Sequence, residues 1–279
     1  MTQLAAPRTT SPGRDLPAAI AVGVVLLGVV AASLFIRKEA FVALAVLAVG
    51  AATWELAQAL TRRSIHLPLL PLLVGTAGIL VSAYTAGPEA LFVAFLLTVG
   101  GAVVWRVLDG SGEPALRDAT AATFAAAYLP FLGGFVMLLL AEPDGPARVV
   151  MFILLAVACD TGGYVVGSLL GRHPLAPTVS PKKSWEGLLG SVVLTSVVGV
   201  VGVQLAFDGA PLVGVLLGLG TVVSATLGDL AESMLKRDLE LKDMGRLLPG
   251  HGGVLDRLDS LLLTAPTVWV LLTVLLPAG

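Results

Sequence analysis

Nine stretches of about 20 mainly apolar residues, each long enough to span a bilayer, follow one another along the chain: 17–35, 40–60, 66–86, 89–107, 119–140, 147–171, 187–207, 210–228 and 258–277. In hydrocarbon every backbone N–H and C=O must find its partner within the chain, so such stretches become helices. Charged residues make up 13% of the 279 positions, against roughly 25% in a soluble domain. The sequence therefore predicts an all-α, polytopic integral membrane protein with about nine transmembrane helices. Residues 1–16 form a polar tail. The run from Pro17 to Phe35 exceeds the roughly 7–15 apolar residues of a signal peptide and reads as the first span.

Breakers or charges mark the joints: Arg37-Lys38, Arg62-Arg63, Gly87-Pro88, DGSGEP (109–114) and EPDGP (142–146). No fixed-period repeat and no soluble segment of domain length is visible. The expected organisation is a cytoplasmic tail (1–16), a scaffold of five helices (17–145) and a catalytic region of four (146–279) with cytoplasmic loops 172–186 and 229–257. Within the scaffold, Glu55 and Arg106 lie near span ends and read as side chains snorkelling to the interface. The single cysteine, Cys159, excludes an intrachain disulfide.

Lys and Arg concentrate in cytoplasmic loops. Thirteen of the 17 fall in the tail and the even-numbered loops, which predicts a cytoplasmic N-terminus and an external C-terminus in the plasma (inner) membrane. Both chemistry-bearing loops then face cytosolic nucleotides.

The most polar stretch is 228–260, GDLAESMLKRDLELKDMGRLLPGHGGVLDRLDS. Asp229 closes one apolar run, and Asp256, Arg257 and Asp259 open another. Ionisable groups at membrane depth are costly and mark function by default. Asp160, some ten residues into its span, belongs with them; Tyr164 shares its helix face. Gly163, Gly167 and Gly171 form a small-residue ridge for a close neighbour. The loop RHPLAPTVSPKKSWEG (172–187) is stiffened by Pro174, Pro177 and Pro181. It presents Ser180, Lys182 and Lys183, with Ser180 placed to cap the next helix and Glu186 in its first turn. No breaker follows span eight before Gly245, so residues 210–243 are expected as one helix of about 51 Å. Asp229, Ser233 and Lys236 would share a face, with Arg237, Lys242 and Asp243 near its tip. Carboxylates beside phosphate-binding lysines imply Mg²⁺, held through one or two carboxylates plus substrate phosphate. A second cation is left open. His251 and the glycines Gly252 and Gly253 form the bend between the two helices; zinc is excluded for want of Cys or a second suitable His.

Three blocks in order, DTGGY (160–164), SPKKSWEG (180–187) and SMLKRDLELKDMGRLLPGHGGVLDRLD (233–259), resemble the signature of the phosphatidate cytidylyltransferases, the CDP-diacylglycerol synthases. Gly163 stands where alanine is expected and Ser184 where threonine is common; neither change removes a charged group. The resemblance covers residues 160–260. It implies that CTP and phosphatidic acid react to CDP-diacylglycerol and pyrophosphate for phospholipid biosynthesis, in a Mg²⁺-dependent homodimer within membrane lipid and without nucleic acid. It implies metal-site aspartates at Asp160, Asp229, Asp256 and Asp259, the last three catalytic together with Lys236. Substrate would be bound by Ser180, Lys182, Lys183, Ser233, Lys236, Arg237, Lys242, Asp243, His251, Gly252, Gly253 and Arg257. Rival readings are a CTP-dependent enzyme for another lipid phosphate, such as an isoprenoid ether lipid, and an ion or lipid-phosphate transporter. The transporter would need polar residues on both faces or broken helices in repeated halves, and the sequence has neither. Phosphatidate is itself a good nucleophile, so a direct in-line displacement is expected rather than a covalent intermediate on Ser180, Ser184 or His251.

Overall fold

The computed structural model describes residues 16–248 and 252–276, with the backbone alone for 16–22. His251 and the tail cations Arg8 and Arg14 lie outside the described residues. The architecture is an all-helical bundle: α1 (Leu16–Ile36), α2 (Lys38–Leu60), α3 (Leu69–Asp109), α4 (Glu113–Ala126), α5 (Leu132–Ala141), α6 (Gly145–Leu170), α7 (Trp185–Phe207), α8 (Pro211–Asp238) and α9 (Leu255–Leu275). Among the described residues, seven helices are long and apolar enough to cross a membrane. The spans expected at 66–86 and 89–107 are the two arms of α3. The chain doubles back at Gly87, whose φ of 83° suits glycine, followed by Pro88, which has no N–H to donate. The arms pack so closely that any side chain at Gly75 would collide with Thr98. The span expected at 119–140 is α4 and α5 joined through a π-helical turn, Ala127–Phe131. Pro130 lies inside that turn and cannot complete a regular α ladder.

The two ends of the bundle differ in their ties. At one end, Arg63 donates to the Asp238 carbonyl at the C-terminus of α8 (3.0 and 2.5 Å) and pairs with Glu240 at 2.9 Å. There too Arg117 donates to Ser64 O at 2.5 Å, and Arg106 pairs with Asp118 at 2.7 Å. At the other end Lys38 donates to Glu142 O at 2.6 Å. Arg148, fully buried, joins Asp144 (2.6 Å) to Leu276 O (2.8 Å). Loops of the same parity thus meet each other, as the alternation of charge requires.

Two expectations are corrected here. First, α8 stops at Asp238 after 28 residues, about 42 Å, not at 243. Glu240 adopts a left-handed φ of 56°, and Leu241 N–H returns to Lys236 O at 2.8 Å in a Schellman-type closure. The reversal buries Leu239 and Met244 in the main core; packing overrides a local sequence with no breaker. Second, loop 172–186 carries a short antiparallel hairpin, β1 (Pro174–Ala176) with β2 (Ser180–Ser184), where no strand was expected. Both strands are too short to be legible as a pattern.

Candidate active site

Five elements enclose a cavity of about 380 Å³: α6, β1, β2, α7 and α8. Its wall brings together Asp160 and Tyr164 from α6, Ser180, Lys182 and Lys183 from β2, and Asp229 from α8. What lets the helices meet behind it is the absence of side chains. A Cβ on Gly162 would lie 2.5 Å from Gly190 O, one on Gly163 2.7 Å from Ser191 Oγ, and one on Gly187 2.9 Å from Gly163 O. Ser191 adds a hydrogen bond to Cys159 O at 2.6 Å. The small-residue ridge expected on α6 thus has α7 as its neighbour, and the tight seam sets the depth of the cavity floor.

The cations are held in place by the hairpin. Lys183 forms an ion pair with Asp229, while Lys182 is exposed. The α7 cap is Ser184, whose Oγ accepts from Gly187 N at 3.1 Å. That corrects the placing of Ser180 as cap: Ser180 lines the cavity instead. Glu186 accepts from the backbone N–H groups of Arg172 and His173 (3.1 and 3.2 Å) and meets His173 Nδ1 at 2.6 Å. From the tip of α8, Arg237 donates to Val179 O at 2.6 Å and so braces the hairpin turn.

A second cluster lies where α8 meets α9. Lys236 pairs with Glu232 one turn back and with Asp256 Oδ1 at 2.6 Å. Asp256, 8% exposed, also accepts from Met244 N (3.1 and 3.0 Å) and from Gly253 N at 2.8 Å. Its oxygens are already occupied by donors. Asp259 is half-buried and accepts from Ser260 N at 2.7 Å. A Cβ on Gly228 would come within 2.5 Å of the Asp259 carbonyl oxygen, so α8 and α9 touch at that level. Ser233 is half-buried; Lys242, Asp243 and Arg257 are exposed. Gly252 takes a φ of 86° and its carbonyl accepts from Leu248 N at 2.9 Å.

The structure therefore does not bring Asp160, Asp229, Asp256 and Asp259 into one metal-binding group. Among the described residues no three His, Cys, Asp or Glu side chains are so placed. Asp160 and Asp229 share the cavity, whereas Asp256 is committed to Lys236 and two backbone N–H groups. Two carboxylates do fit Mg²⁺, which takes its remaining ligands from water and phosphate.

Three charged side chains, two carboxyl groups and one guanidinium, carry more than their place in the sequence suggests. Glu232, 2% exposed, anchors Lys236; its i, i+4 spacing to that lysine was a usable signal. Glu55, read as snorkelling, is 1% exposed and accepts from Leu255 N at 2.9 Å. Arg106 likewise does not snorkel: it is mostly buried between Asp109 and Asp118. The cost argument that singled out Asp160 applies equally to Glu55.

Residues 17–275 match the model of the cytidylyltransferase family. The chain is 40% identical over 282 residues to a Mycobacterium leprae protein named phosphatidate cytidylyltransferase, covering 96% of this chain and 90% of that one. It is 37% identical to the protein of the same name from Mycobacterium bovis, over 98% and 93% of the two chains. A Synechocystis protein, again of that name, is 44% identical over 155 residues, about half of each chain.

Proposed function

Because the chain belongs to the cytidylyltransferase family, we propose that it transfers a cytidylyl group from CTP to phosphatidic acid, releasing pyrophosphate and forming CDP-diacylglycerol. The observation that carries the reading is the cavity itself. It brings Lys182 and Lys183 together with Asp160 and Asp229 at one end of a bundle of mainly apolar helices. Such a site meets a water-soluble polyphosphate from one side and a lipid phosphate from the plane of the membrane.

Chemically, two polyanions must be brought together, and charge neutralisation with positioning supplies most of the catalysis in transfers of this kind. Lys182, exposed and without an ion-pair partner among the described residues, can take a phosphate oxygen, and Lys183 exchanges its Asp229 partner for one when the triphosphate enters. A phosphatidate oxygen attacks the α-phosphorus of CTP; a P–O bond forms as the bond to pyrophosphate breaks. Ser180 lines the same cavity and, among the described residues, its hydroxyl is hydrogen-bonded to no base, so it is given no covalent role. Asp160 and Asp229 would hold Mg²⁺, which when bound offsets charge on the triphosphate and its leaving group. Lys236, Glu232 and Asp256 hold the start of α9, and Asp259 with it, against α8. The reading places the site on the cytoplasmic face of the cell membrane, where CTP is available, and the enzyme in a homodimer.

The test is direct. Purified protein in detergent, given labelled CTP, phosphatidate and Mg²⁺, should form CDP-diacylglycerol, and chelation should stop it. Absence of product from an intact, folded preparation overturns the reading.

A further inference from the structure

We propose that Glu55 is a positioning residue for the reaction, an N-terminal cap for α9 supplied from α2, 200 positions away in the chain. Helix α9 begins without a cap of its own: Val254 occupies that position and offers no side-chain hydrogen bond. The first N–H of the helix, that of Leu255, donates instead to Glu55 Oε2 at 2.9 Å. A helix start whose N–H groups find no acceptor is destabilised, and a carboxyl group is among the best acceptors for them.

The surrounding chain is shaped to admit this side chain. Glu55 is 1% exposed although it lies in a span otherwise rich in Ala, Val and Leu. A Cβ on Gly253 would lie 2.6 Å from Glu55 Oε2 and 2.9 Å from Asp256 Oδ2, and any side chain at Gly245 would collide with the Glu55 carboxyl. Both glycines are thus where the carboxyl of α2 requires backbone alone. The same few residues hold Asp256: Gly253 N donates to its Oδ2 at 2.8 Å, Met244 N to both oxygens, and Lys236 to its Oδ1 at 2.6 Å. Glu55 therefore fixes the turn on which Asp256 is seated, and Asp259 lies one turn further along α9. Helix α9 in turn bears on α8 at Gly228, next to Asp229 of the cavity wall, so a helix of the N-terminal half helps set the position of an active-site carboxylate.

The kinetic arm rests on the cytidylyl-transfer reading; the structural arm does not. Full-length wild type, Glu55→Ala, Glu55→Gln and Leu56→Ala would be compared in detergent by amide hydrogen exchange and by steady-state kinetics. Leu56, adjacent and fully buried, controls for general damage to α2. Removing a residue that orients an active-site group costs about 10- to 100-fold in activity. Glu55→Ala should lose that much in kcat with little change in KM for CTP, and should expose the Leu255 amide to exchange. Glu55→Gln, which keeps an acceptor, should retain most of both; Leu56→Ala should lower Tm without the kcat loss. Wild-type protection of Leu255 in Glu55→Ala, or an equal kcat loss in Leu56→Ala, overturns the proposal. Should Glu55→Ala fail to fold, Glu55→Asp decides by the same exchange measurement, since its shorter side chain should leave Leu255 unprotected. Wild-type protein that makes no CDP-diacylglycerol would defeat the functional reading and leave the exchange result to judge Glu55.

Discussion

The N-terminal and C-terminal halves of the bundle are held together by different means. Helices α2, α3 and α5 share one large core of Leu, Ile, Val and Met side chains, with Phe95, Phe131, Phe135 and Trp269 of α9 in a chain of aromatic contacts. Helices α6, α7 and α8 meet instead through backbone. Gly162 lies against Gly190, Gly199 against Gly214 and Gly218 against Ser196; Met151, Leu155, Val203 and Leu217 still reach the large core, but beside the cavity the buried apolar cluster is small, Cys159, Val222 and Ala225. Lipid is as apolar as leucine, so bulky side chains gain little from leaving it; small residues gain by close van der Waals approach. The difference teaches where precision is needed. A core of large side chains tolerates repacking, whereas a backbone seam leaves no room for an added methyl group between α7 and the helices that carry Asp160 and Asp229.

The sharpest separation of the halves is by charge. Asp229→Asn and Asp160→Asn should each lower kcat by about 1,000-fold, the scale of losing a preorganised electrostatic contact. Tm should be unchanged or raised in Asp160→Asn, where a costly group is removed, and slightly lowered in Asp229→Asn, which leaves Lys183 without its partner. Near-normal turnover in Asp160→Asn would take α6 out of the chemistry and leave it as packing alone. Next comes the seam. Gly190→Leu places a branched side chain where a Cβ already meets Gly162 O at 2.6 Å. Overpacking of this kind costs about 1–3 kcal/mol, and product formation should fall far more than Tm suggests. The matching scaffold change, Leu80→Ala, empties a fully buried site at a cost of about 2–5 kcal/mol. It should lower Tm clearly while the kcat of the folded fraction stays near wild type; equal damage to kcat would erase the contrast between the halves. The smallest effect is at the hairpin. Ser184→Ala removes the α7 cap, worth about 1 kcal/mol, and should raise KM for CTP slightly by loosening Lys182 and Lys183.

Much of this was legible in the residues. Apolar runs of spanning length, the one-sided cations and the expensive carboxylates at 160, 229, 256 and 259 all announce themselves locally. So does the small-residue ridge of α6, because glycines at Gly163 and Gly167 have no other evident use in a helix. Glu55 and Arg106 were misread for a definite reason: near a span end, snorkelling and burial look identical until the neighbours are known. The length of α8 failed similarly, since LELKDMG has good helix formers but folds back to bury Leu239 and Met244.

By itself, then, the sequence determined the medium, the helical class and most of the charged side chains from which a site can be built, because hydration cost and periodicity are properties of short segments. Only the tertiary structure decided the pairings. It put Lys183 with Asp229 across 46 positions, Lys236 with Asp256 across the turn, and Glu55 with Leu255 across 200. A buried polar group accepts whichever partner the packed helices bring within reach. That choice depends on the spacing of whole helices, which the glycine seams and the large core set together.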